Sequence, residues 1–131
     1  LQASGGDTNG VKKNKAELEK QLRKLVIRIH QDIFGHGPSE VWVKINSNVG
    51  TFYCSGHLTR IEEYLLQMEG GEERIISLRK EIFQHARQRV CNEVEFITGV
   101  KVSGITVNFC SSSNASFGAI LFDSNIEEIS L

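Results

Sequence analysis

The chain has one proline, one methionine and one tryptophan in 131 residues. A single proline rules out a polyproline segment or a Pro-rich spacer. Its three cysteines, Cys54, Cys91 and Cys110, are odd in number and widely spaced, which fits neither a secreted disulfide framework nor a zinc knuckle. Each reads as a small buried hydrophobe, as free thiols usually are, and the pattern points to a cytoplasmic chain. No apolar run approaches the roughly 18 residues of a membrane helix, and no basic-then-apolar leader opens the sequence. An excess of charge is missing too: 15 Lys+Arg against 16 Asp+Glu leave a net charge of -1, which argues against a generic polyanion binder. The lack of Met at position 1 suggests an excised domain or a processed chain.

What is present, 40% apolar and 24% charged residues, is the composition of one compact soluble domain. Residues 1–10 (LQASGGDTNG) are small and polar and read as a flexible arm. Residues 11–124 read as the domain, and 125–131 as an acidic, frayed tail. From Val11 to about Phe34, Leu18, Leu22, Leu25, Val26, Ile29 and Ile33 form the stripe of an amphipathic helix that Gly35 stops. His36 to Ser39 makes a tight corner. Glu40 to Asn46 then alternates Val41, Val43 and Ile45 against Trp42 and Lys44 as a half-buried strand, and Thr51 to Cys54 returns as its hairpin partner.

Thr59 and Glu62 have the spacing of a capping box, which starts a short helix from Arg60 to about Met68. Gly70-Gly71 ends it. A long helix from Glu72 to Thr98 follows, with Gly99 as its cap. At 1.5 Å per residue it is about 40 Å long, more than a domain of this size is wide, and so suggests a second subunit. Beyond it the apolar parity switches at Gly104, as a bulge would make it, so that Ile105, Val107 and Phe109 share a face. SSSNAS reads as a loop, and the unbroken apolar run Phe117 to Phe122 as a well-covered strand. The order α-β-β-α-α-β-β predicts an α+β domain: a four-stranded, mainly antiparallel sheet with helices on one face. The edges of the two hairpins and the long helix are the places where a second copy could add.

Charge is distributed unevenly, since residues 1–30 hold seven of the basic residues and three acids. Lys20, Arg23, Lys24 and Arg28, with Lys12, Lys13 and Lys15, could form a basic helical stripe for nucleic acid or simply a solvated face. No zinc-finger, RNP or GxxG pattern supports a standard nucleic-acid module. His30, His36, His57 and His85 are scattered without metal spacing, although His36 and His57 flank glycines at the ends of the first hairpin. No nucleophile elbow, phosphate loop or cofactor fingerprint is present, so no cofactor or metal is expected.

FGHGPSEVWVKI, SGHLTRIEEYLL, ISLRKEI and EFITGVKV, in this order and spacing over about residues 15 to 123, resemble the bacterial MpsC-like family. The motif positions are Gly35, Gly37 and Pro38 at the corner, Leu58, Thr59 and Glu62 at the cap, Arg79 on the long helix, and Thr98 and Gly99 at its end. The resemblance implies a link to a membrane-potential-generating or cation and bicarbonate transport system, and it supplies no active site to transfer. Most of these positions also have a structural explanation in turns and caps. Arg79 is the exception, because it could clamp a small anion or pair with a glutamate such as Glu62. These features point to a non-enzymatic accessory or regulatory module, a homodimer, that binds a protein partner, which could be membrane-associated, or a small anion. Its ligand or partner residues are Gly35, His36, Gly37, Pro38, His57, Thr59 and Arg79. The alternatives are a nucleic-acid-binding domain using the first helix and an enzyme using His36, His57 and Arg79.

Overall fold

The computed structural model describes residues 14–56 and 58–128. The arm over 1–10, the helix start at Val11, His57 and residues 129–131 of the tail lie outside the described residues. Helix α1 (Lys15–Phe34) begins on Asn14, whose side chain accepts from the Glu17 amide at 2.7 Å, and ends on Gly35 at φ 83°. After the corner come strands β1 (Glu40–Asn46) and β2 (Val49–Ser55), then helices α2 (Arg60–Leu66) and α3 (Gly71–Thr98), and strands β3 (Val102–Cys110) and β4 (Ala115–Phe122). The short helix stops two residues before Met68, because the Gln67 and Met68 amides turn back onto Tyr64 and Leu65 in the tighter i+3 pattern. The return strand starts at Val49 instead of Thr51. The last loop shrinks to Ser111–Asn114 because Ala115 and Ser116 pair with Ser55 and Cys54.

All four strands form one antiparallel sheet in the order β1-β2-β4-β3, so the two hairpins join along β2 and β4. The register between β3 and β4 slips between Val102 and Gly104, the bulge that the parity switch requires. Helices α1 and α3 lie over β1 and β3 on a single face and touch each other. Leu18, Leu22 and Leu25 of α1, Val90 and Val94 of α3, and Val43, Ile45, Phe52, Ile105, Ile120 and Phe122 of the sheet make the core.

Three expectations change. The run Phe117 to Phe122 is covered on one side only: Ile120 and Phe122 are buried, whereas Phe117 and Leu121 are 45% and 46% exposed on the helix-free face. A strand in a two-layer domain meets water on alternate residues whatever its composition. Of the hairpin edges, those of β2 and β4 pair with each other, and the outer edges of β1 and β3 are engaged in part. Glu19 accepts from the Ile45 amide of β1 at 2.9 Å, while Glu95 accepts from Val102 and Arg87 donates to Ile105 O on β3. The acidic segment does not begin as a frayed tail: Ile126 is fully buried, and its amide bonds to Ser47 O in the β1–β2 turn. Among the described residues no helix is long and apolar enough to cross a membrane.

Candidate functional site

Thr59 caps α2 as the spacing predicts: Glu62 N donates to Thr59 Oγ1 at 3.2 Å, and Thr59 N donates to Glu62 Oε1 at 3.0 Å. The same carboxylate then takes a fork from Arg79, with Nε to Oε2 and Nη2 to Oε1 both at 2.7 Å. Side-chain exposures of 11% and 4% make this a buried, bidentate pair. The guanidinium is also held between two rings, 4.3 Å from the centroid of Phe34 and 4.1 Å from that of Phe109. Burial alone would raise the Glu62 pKa. The hydrogen bonds from Arg79 and the Thr59 amide outweigh it and leave the carboxyl below its ordinary 4.5. Arg79 thus ties α2, α3, the end of α1 and β3 together.

The first corner adjoins this pair. His30 is buried, and its Nδ1 donates to His36 O at 2.7 Å, which leaves Nε2 as the bare nitrogen of a neutral ring. Desolvation lowers its pKa from 6.5, against the bond to His36 O, and the nearby charge of Arg79 adds to the fall. Its ring stands 4.7 Å from Phe34 and 5.5 Å from His36. Burial pushes the Cys54 thiol up, so at neutral pH it is protonated and a poor nucleophile.

Beside this cluster a cavity of about 490 Å³ runs between α1, α3 and the covered face of the sheet. Leu25, Ile29, Ile33, Phe52, Phe83, Val107 and Ile120 line its apolar walls, and Arg79, Lys80 and Arg87 supply its cations. Ile76, Lys80 and Gln84 are exposed, so it opens to solvent along α3.

Of the residues singled out in the sequence, Gly35, His36, Pro38, Thr59 and Arg79 do come together. Gly35 caps α1 next to Phe34, His36 holds His30, and Pro38 Cα lies 3.8 Å from where a Cβ on Gly56 would stand. Gly37 has open space around it. His57 lies outside the described residues. His30, Phe34 and Phe109 were not singled out. They carry helix and strand periodicity, and only the packing of α1 and β3 around Arg79 distinguishes them from ordinary core positions. On the basic helix, Lys20 and Lys24 are exposed and Arg23 is half-buried. Arg28 is committed to Glu93 at 2.9 Å, and Arg89 reaches Glu93 and Asp32. Among the described residues no three His, Cys, Asp or Glu side chains group as metal ligands.

No curated protein and no solved structure matches the chain. The family model described as "Na+-translocating membrane potential-generating system (MpsC)" matches residues 14–124, from the cap of α1 to just past β4, and so takes in every element of the sheet and every member of the Arg79 cluster. The chain belongs to the MpsC family.

Proposed function

We propose that this chain is a non-catalytic, cytoplasmic accessory module of a sodium-translocating, membrane-potential-generating system, and that it presents itself to its protein partners as a homodimer joined through the helix-free face of the sheet. The observation that carries this reading is the row Trp42, Tyr53 and Phe117 across three neighbouring strands of that face, with Leu121 exposed four residues further along β4. Trp42 stacks on Tyr53 at 5.8 Å and is 41% exposed. Contiguous exposed aromatic surface of this kind marks interaction sites.

A second copy suits the face. Glu40 and Lys44 lie on the same side of β1, two pleats apart with Trp42 between them. A two-fold axis through Trp42 sets each lysine against the other chain's glutamate. Absence of catalysis is supported by the Arg79 cluster, where acid and base consume each other in the bidentate pair.

Light scattering over a concentration series tests the assembly. Wild type should dimerise, Lys44→Glu should weaken the dimer at least about tenfold, and Glu40→Lys with Lys44→Glu should restore it. A wild type that stays monomeric at the highest concentration removes the dimer. The accessory role is read separately: deletion in the source bacterium should lower the sodium-dependent membrane potential seen by a voltage-sensitive dye, and an unchanged potential would overturn it.

A further inference from the structure

The cavity of about 490 Å³ opens to solvent along α3 and is a cleft between the helices and the sheet, not a closed void of the interior. It falls in the size range of small-ligand sites, roughly 300–1,000 Å³. The walls are mostly apolar, with Leu25 and Ile29 of α1, Phe83 of α3 and Val107 of β3 among the lining residues. An apolar ligand part would be dry there.

The charge of the lining has one sign. Lys80 and Arg87 stand two helical turns apart on α3, and among the described residues no Asp or Glu lines the cavity. Arg79 is already neutralised by Glu62, whereas neither Lys80 nor Arg87 has a carboxylate within 4.0 Å among the described residues. Arg87 Nη1 donates to Ile105 O at 3.1 Å, which fixes the guanidinium at the cavity and leaves the rest of its fork free for an acceptor. We propose that this cavity binds a single-chain amphiphile with one carboxylate head, a long-chain fatty acid in its simplest form. The chain lies among Leu25, Ile29, Phe83 and Val107, and the head sits on Arg87 with Lys80 at the mouth. The site is on the opposite face of the sheet from the aromatic row, so it stands or falls independently of the dimer.

Displacement of the fluorescent fatty acid cis-parinarate from the purified chain tests it. Myristate should displace the probe saturably at one site per chain, with tetradecanol at least about tenfold weaker because it lacks the charge-assisted bonds. The doubly neutralised variant Lys80→Gln, Arg87→Gln should lose about tenfold for myristate and nothing for tetradecanol. Ile29→Trp, which fills the cavity, should abolish both; the neutralised variant carries the test if that protein does not fold. Absence of saturable binding, equal affinity for acid and alcohol, or a preference for vesicles of anionic phospholipid over free myristate would each overturn the proposal.

Discussion

Arg79 does two things that a lysine in its place cannot do. It gives Glu62 two parallel hydrogen bonds of 2.7 Å, and it lies flat between the rings of Phe34 and Phe109. Both ends of the pair are removed from water, and breaking a buried pair by deleting one member leaves an uncompensated charge that costs about 3–5 kcal/mol. Glu62→Gln and Arg79→Met, which each leave the other charge without its partner, are therefore each expected to lower the unfolding free energy in urea by about 3 kcal/mol, and Arg79→Lys, which keeps the charge, by less. Replacing both with apolar residues should cost much less than the two losses added together, since the remaining lone charge is then gone as well. Single variants within about 1 kcal/mol of wild type would mean that the pair is better solvated than its burial indicates.

At the scale of elements, the join between α2 and α3 is a close approach of backbone to backbone. A Cβ on Gly71 would stand 1.6 Å from Leu65 O, so the first residue of α3 lies against the last turn of α2 with room for a hydrogen only. Gly71→Ala must push the two helices apart and is expected to cost at least about 2 kcal/mol. Because α2 carries Glu62, it should also speed hydrogen exchange at the Thr59 and Glu62 amides. Gly37→Ala, in the open corner, should change stability by less than about 0.5 kcal/mol; equal effects at the two glycines would remove the argument from close approach. Elements of this kind were legible in the sequence where the signal is local. Periodicity placed α1, the glycines at 70–71 and 99 bounded α3, the Thr59–Glu62 spacing placed α2, and the parity switch placed the bulge at Gly104. Nothing local tells Leu121 from Ile120 in the run Phe117 to Phe122, because which side of a strand is covered depends on elements distant in sequence.

The whole molecule settles what those elements alone leave open. Strand order follows from pairing β2 with β4, residues sixty or more positions apart, and the same pairing brings the Gly35–Pro38 corner and Arg79 into one cluster. That long-range step explains why Arg79 and Glu62 could be paired from their residue types while His30, Phe34 and Phe109 could not be added to them. The cluster also links global stability to pH. His30 is kept neutral chiefly by burial, with His36, Arg79 and Glu62 as the charged or titratable groups facing it, and its folded pKa lies below 6.5. As pH falls through 6.5 the unfolded chain takes up a proton at His30 that the folded chain refuses, so stability is complete above that pH and declines below it. Glu62 acts in the same sense further down: its folded pKa is below 4.5, and its contribution is lost as the pH drops from there through the folded value. The urea midpoint of wild type is thus expected to be level above about pH 7, to fall from about 6.5, and to fall again below about 4.5. His30→Gln keeps a side-chain donor for His36 O and should remove the first decline while leaving the second. A wild-type midpoint that stays level down to pH 5 would show that His30 takes up its proton as readily in the folded protein as in the unfolded chain.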